Sequence, residues 1–176
     1  MIQQPIILIL ADRGEGKTLL STGLAYMYHT VDHLSIVTNY TLYNIPYRKM
    51  GFKTLLKHMD TLSDCLLILD EVHTMSDAYE FFTKSVKKLT TFVTQLRKRH
   101  ITLIIITQRN NFIAKRLRQM VNYVMECART DVVGVVDVKV FDLSLPQSQS
   151  FVKEFVFDGR QFFDYYDTNE VITSET

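Results

Sequence analysis

Short, fully apolar runs alternate with amphipathic stretches over the first three quarters of the chain. Residues 5–10, 65–69 and 101–106 carry no charge at all, and runs of this length read as strands buried on both faces. Weaker runs predict further strands at 34–38 and 123–128. Between them, helices are expected from Lys17 to about residue 29, at 52–59 and at 112–120. A longer helix is predicted over 84–99, where Val86, Leu89, Phe92, Val93 and Leu96 repeat at helical spacing among basic residues. Beyond residue 130 the pattern changes. Residues 132–143 read as extended, and 151–157 and 161–166 flank Asp158-Gly159, a hairpin turn signal. Strands alternating with helices, then strands alone, predict an α/β fold. Its mainly parallel central sheet is flanked by helices and extended by C-terminal antiparallel strands. The aromatics Phe151, Phe155, Phe157, Phe162, Phe163, Tyr165 and Tyr166 alternate along the last two segments and read as hairpin core rather than as a platform for bases.

Length and composition narrow this picture. The chain has 176 residues, 47% hydrophobic and 22% charged, which suits one globular domain and excludes a two-lobed helicase. There is no repeat, low-complexity stretch or linker to divide it. No apolar run approaches the roughly 18–20 residues of a membrane helix, so no transmembrane segment is expected. The first residues lack the positive start of a signal peptide. Cys65 and Cys127 stand alone in apolar segments and read as buried free thiols of a reducing compartment. A soluble protein of the cell interior is the expectation.

The net charge of +1 conceals segregation. Residues 1–80 carry 6 basic and 9 acidic side chains, residues 81–125 carry 10 basic and none acidic, and residues 126–176 carry 4 basic and 10 acidic. An acid-free stretch of that length predicts a surface that meets polyanions, or one that meets the acidic C-terminal quarter of a neighbouring copy.

Candidate chemistry begins right after the first strand. Ala11-Asp12-Arg13-Gly14-Glu15-Gly16-Lys17-Thr18 follows the phosphate-loop pattern G-x-x-x-x-G-K-[ST], with Ala11 in place of the first glycine. In the strand–loop–helix context predicted here, backbone N–H groups from Gly14 to Leu19 face phosphate oxygens at a helix N-terminus. Lys17 would reach the β- and γ-phosphates of ATP, and the Thr18 hydroxyl would ligate Mg²⁺. Residues 66–69 form an apolar strand that ends in Asp70-Glu71. Asp70 is then a second Mg²⁺ partner, and Glu71 orients and deprotonates an attacking water. NTP hydrolysis is the reading, ahead of small-molecule kinase chemistry. Asp70-Glu71-Val72-His73 is similar to a helicase motif, but helicases need two such domains.

Residues 101–106 lead into Thr107-Gln108-Arg109. If that strand lies between the two motif strands, Gln108 lands beside the γ-phosphate, where an amide senses phosphate or positions water. Arg97, Lys98 and Arg99 lie at the strand's other end, roughly 20 Å away at about 3.3 Å per residue. Arg97 and Arg99 therefore face away from their own nucleotide and are candidate fingers for a neighbouring subunit's site, which implies an oligomer.

These residues resemble the FtsK–HerA superfamily of P-loop ATPases with an additional-strand, RecA-like core, and within it the small genome-packaging ATPases of membrane-containing icosahedral viruses. The resemblance rests on Gly16-Lys17-Thr18, on residues 69–73, on Gln95-Leu96-Arg97-Lys98-Arg99 before an apolar strand, and on Thr107-Gln108. It extends to Arg116-Leu117-Arg118 and to Tyr166-Asp167-Thr168-Asn169-Glu170. It implies an ATP- and Mg²⁺-dependent homo-oligomeric ring, a hexamer or pentamer, that drives double-stranded DNA through its pore in host cytoplasm or virion, with capsid or vertex proteins as partners. Lys84, Lys87, Lys88, Arg109, Lys115, Arg116 and Arg118 are then the natural DNA phosphate contacts. The chain is similar as well to the Zot-like assembly ATPases of filamentous phages, which usually carry a membrane segment. That resemblance implies an assembly or secretion ATPase acting on protein or single-stranded DNA.

Overall fold

In β1 (Ile6–Leu10), β4 (Cys65–Leu69) and β5 (Ile101–Thr107), successive side chains point to opposite faces, and both faces are buried. Ile6, Leu8, Leu67, Leu69, Leu103 and Ile105 pack on one side of the sheet, while Ile7, Ile9, Leu66, Ile68, Ile104 and Ile106 pack on the other. An apolar strand without alternation has nowhere stable to sit except between two helical layers. The computed structural model describes residues 5–71, 88–89, 91–109, 113, 115–168 and 170.

The remaining elements are α1 (Lys17–Thr30), β2 (Ser35–Thr38), β3 (Tyr47–Lys49), α2 (Phe52–His58), α3 (Lys115–Arg118), β6 (Tyr123–Arg129), β7 (Val135–Asp142) and β8 (Phe151–Asp158). The eight strands form one sheet in the order β3-β2-β4-β5-β1-β6-β7-β8. All pairings from β3 to β6 are parallel, and β7 and β8 add on antiparallel. The expected fold class is therefore the observed one. β5 lies between β1 and β4, with Leu10 opposite Thr107 and Leu69 opposite Ile105. The loops after β1, β4 and β5 consequently open at the same sheet edge.

Several expectations are corrected. Residues 161–166 do not form a strand: a 3-10 helix runs over Arg160–Tyr165. Asp158 accepts hydrogen bonds from the Arg160 backbone and guanidinium, which curls the chain after Gly159 instead of returning it as a hairpin. The Phe162 ring then stacks on Phe157 at 6.0 Å and tilts against Tyr26 of α1 at 5.5 Å. The aromatic repeat thus packs on a helix, and the C-terminal hairpin is made by β7 and β8. The basic helix expected over 112–120 is one turn, Lys115–Arg118. Of the helix expected over 84–99, residues 88–89 and 91–93 are helical, and a 3-10 turn follows at Leu96–Arg99. Residues 84–87 lie outside the described residues, as do Val72, His73 and the segment 75–82.

Cys65 and Cys127 are both buried and unbonded. They sit on β4 and β6, three strand spacings or about 14 Å apart across the sheet and at opposite ends of their strands, well past disulfide reach. Burial pushes the Cys65 thiol up to about 11 and the Cys127 thiol up to about 12. Since the thiolate is the reactive form, the folded protein is expected to resist an aromatic disulfide reagent at pH 8 and to release two thiol equivalents after denaturation. Fast labelling of the native protein would contradict this environment.

Candidate active site

The loop between β1 and α1 turns twice through left-handed backbone, at Gly14 (φ 83°) and Gly16 (φ 84°). Side chains rarely adopt this conformation, and a Cβ on Gly16 would stand 2.5 Å from Val136 Cγ2. Glycine at 16 is thus required twice, by φ and by space. Ala11, the departure from the sequence pattern, is absent from the described residues with positive φ, so alanine fits there. Lys17 opens α1 and is buried. Its Nζ donates to the carbonyls of Ala11 at 2.9 Å and Asp12 at 2.6 Å. An ammonium has three N–H donors, so the loop holds Lys17 with two and leaves one for an incoming oxygen.

Asp70 follows β4 directly and is 3% exposed. Thr18 Oγ1 donates to Asp70 Oδ2 at 2.8 Å, which sets two hard oxygen ligands side by side. Burial pushes the Asp70 carboxyl up to about 6, against the lowering effect of the Thr18 hydrogen bond. A buried carboxylate disfavoured in this way gains from a cation. No group of three or more His, Cys, Asp or Glu side chains able to hold a metal occurs among the described residues. Mg²⁺ suits such a place, since it takes one or two protein oxygens and completes its shell with water and phosphate. Thr18 and Asp70 therefore fit Mg²⁺ delivered with a nucleotide.

A device absent from the sequence reading fixes Asp70. Asn39, just after β2, accepts the Asp70 backbone N–H with Oδ1 and donates Nδ2–H to its carbonyl, both at 2.8 Å. The ends of two neighbouring strands are thereby clamped. Glu71 then turns at φ 53°, and its N–H donates to Asp70 Oδ1 at 2.7 Å. Left-handed backbone is costly for a residue with a Cβ, by about 1–2 kcal/mol.

Lys17, Thr18, Asp70 and Glu71 line a cleft of about 420 Å³ together with Arg13, Gly14, Gly16 and Tyr40. Its far wall comes from the C-terminal end of the chain: Tyr166, Asp167, Thr168 and Glu170. Tyr166 pairs with Leu42 as an isolated antiparallel bridge. Glu170 accepts the Thr41 N–H at 2.6 Å and the Thr41 hydroxyl at 3.0 Å, and forms an ion pair with Lys49. Burial opposes the Glu170 carboxylate, but the Lys49 ammonium and the Thr41 donors outweigh it and hold its pKa below the usual value.

The other sequence-derived residues are scattered. Gln108 is half-buried one residue past the Thr107–Leu10 pair, at the sheet edge but outside the cleft lining. Glu15 points away from the cleft and accepts the Arg129 N–H; Leu19 is buried beneath the loop. Arg97 and Arg99 lie at the opposite edge of the sheet. Arg99 donates to Gln95 and to the Asp60 carbonyl, whereas Arg97 is exposed. Of the basic residues, Arg109, Lys115 and Arg116 are exposed. Lys88 donates to the Leu56 carbonyl, and Arg118 has a buried Nε without a hydrogen-bond partner among the described residues. Lys84 and Lys87 lie outside the described residues.

A family model described as zonular occludens toxin (Zot) matches residues 33–154. Among solved structures, the fold is similar to the N-terminal domain of zonular occludens toxin from Neisseria meningitidis, with a TM-score of 0.68. That likeness covers 94% of this chain and 100% of the other at 16% identity, and it speaks for the fold alone. No curated protein matches. No described helix is long and apolar enough to cross a membrane.

Proposed function

The chain belongs to the Zot family of P-loop ATPase-like domains, and from that premise we propose that it is an ATP-hydrolysing motor subunit of an assembly or extrusion machine acting on protein or single-stranded DNA. The observation that carries this reading is the meeting of Lys17, Thr18, Asp70 and Glu71 in one cleft at the carboxyl edge of the sheet. Loop N–H groups and Lys17 bind the triphosphate. Thr18 and Asp70 would hold Mg²⁺, whose charge would offset that of the phosphates. Glu71 takes the proton of the attacking water, and Gln108 at the end of β5 orients that water or senses the γ-phosphate.

A second reading, packaging of duplex DNA in a homo-oligomeric ring, is favoured by the acid-free stretch at 81–125 and its exposed Arg109, Lys115 and Arg116. Steady-state ATP hydrolysis, measured alone and with single- or double-stranded DNA across a salt series, separates the two. Turnover indifferent to duplex supports the assembly machine. Stimulation by duplex that fades with salt favours packaging. Absence of hydrolysis under all conditions overturns both.

For either machine we propose an oligomer in which one subunit completes the next subunit's site. We assign the trans arginine to Arg97, because Arg99 is already engaged by Gln95 and Asp60 of its own chain. Mixing Arg97→Ala with Lys17→Ala subunits is expected to restore part of the hydrolysis that each lacks alone, since some interfaces then pair an intact Lys17 with an intact Arg97. No recovery in rings of normal size would refute the assignment.

A further inference from the structure

The loop of residues 11–18 separates two clefts. The second, of about 260 Å³, shares Gly14, Gly16 and Tyr166 with the first and is walled by Leu19, Val136 and Phe163. From this geometry, and resting on the nucleotide reading above, we propose that the second cleft is the base-binding subsite, where the nucleobase stacks on Phe163.

Thr18 and Asp70, bonded to each other, are the residues that would hold Mg²⁺, so the γ-phosphate end of a triphosphate would lie beside them. The loop backbone that runs on to Leu19 would cradle the α- and β-phosphates, so sugar and base would leave the loop on the Leu19 side, away from Asp70. Leu19 is the floor of the second cleft.

Gly134 sits at φ 82°, and a Cβ there would stand 2.4 Å from Phe163 Cζ, so glycine alone lets that ring lie against the turn before β7. The Gly159 N–H donates to the Gly134 carbonyl at 2.8 Å and ties the Arg160–Tyr165 turn, which carries Phe163, to the same place. On the rim, Glu15 of the phosphate loop accepts the Arg129 N–H at the end of β6. Three elements are thus fixed around one opening. The Phe163 ring remains 42% exposed within it, although neighbouring Phe162 is buried at 6%. A partly exposed aromatic ring on a fixed wall beside a phosphate loop offers a base something to stack on, and stacking accepts any base because every base has a π-face.

Isothermal titration of the full chain with Mg²⁺-ATP and with Mg²⁺-tripolyphosphate tests this, because the second probe has phosphates and no base. The wild type is expected to bind ATP about tenfold or more tighter than tripolyphosphate, in line with base–aromatic stacking. Phe163→Ala should erase most of that preference with tripolyphosphate affinity unchanged, and Phe163→Trp should restore it. An ATP preference that survives Phe163→Ala, or its absence in the wild type, overturns the subsite. If the wild type binds neither probe, the nucleotide reading itself falls. Should Phe163→Ala fail to fold, saturation-transfer NMR of ATP on the wild type decides. Strong transfer to the base protons supports the cleft, and transfer confined to the ribose refutes it.

Discussion

Replacing Lys17 with alanine is expected to lower kcat/KM for ATP by about 10²–10³, the size of effect seen when one preorganised donor to a developing oxyanion is removed. The geometry gives the reason. Lys17 is 6% exposed and stands at the start of α1, with two of its donors spent on Ala11 and Asp12. The remaining donor is aimed by that grip and loses no rotamer freedom when phosphate arrives. Deleting the ammonium removes this contact and leaves two carbonyls without their donor, so the melting temperature should fall as well, by an amount on the order of one or two net hydrogen bonds. The two losses can be separated. Lys17→Arg keeps a charge and donors, yet a planar guanidinium cannot reproduce the compact ammonium among those carbonyls. It is expected to recover stability more than turnover. Differential scanning calorimetry beside a phosphate-release assay makes the comparison, and near-wild-type turnover in Lys17→Ala would remove the loop from catalysis.

The sequence made some of this plain for physical reasons. A run such as residues 101–106 has few places to be stable, so its burial between helical layers was legible, as was the loop whose glycines and lysine answer to phosphate chemistry. The order β4-β5-β1 was a condition of the Gln108 argument, and the sheet meets it. The misreadings share a different cause. Residues 161–166 alternate like a strand, but local capping by Asp158 and the fit of Phe162 against α1, where a Cβ on Gly23 would lie 3.1 Å from Phe162 Cε2, override that period. β3, only Tyr47–Lys49 and two-thirds charged, carries no apolar signal and exists because β2 offers it an edge.

Long-range contacts were beyond reach. Glu170 finds Thr41 across 129 residues, and Asn39 finds Asp70 across 31, with no spacing rule to announce either. Charge counts also say nothing about aim. The basic stretch contains Lys88, bound to a carbonyl of α2, and Arg118, whose Nε is buried, alongside the exposed Arg109, Lys115 and Arg116. Segregated charge therefore identifies a segment, and only the fold distinguishes the side chains able to meet a polyanion.

Glu71→Gln is expected to bind Mg²⁺-ATP with nearly unchanged affinity while turnover drops by roughly 10²–10⁴, the range for loss of a positioned general base. The prediction depends on what the substitution preserves. Glutamine keeps the side-chain shape and the backbone N–H that donates to Asp70 Oδ1. It retains φ 53° as well, so the turn that aims residue 71 into the cleft is undisturbed. What is lost is the carboxylate itself, its charge and its proton affinity together. Strained backbone persists where the surroundings enforce it, and here the enforcing partners are Asp70 and, through it, the Asn39 clamp. Glu71→Gly relaxes the strain and discards the carboxylate, so it should lose turnover equally without the loss of stability that a core truncation brings. Single-turnover hydrolysis and equilibrium ATP titration of both variants provide the check. If Glu71→Gln hydrolyses at the wild-type rate, the proton goes elsewhere, and the strained turn serves to orient Asp70 rather than to carry the base.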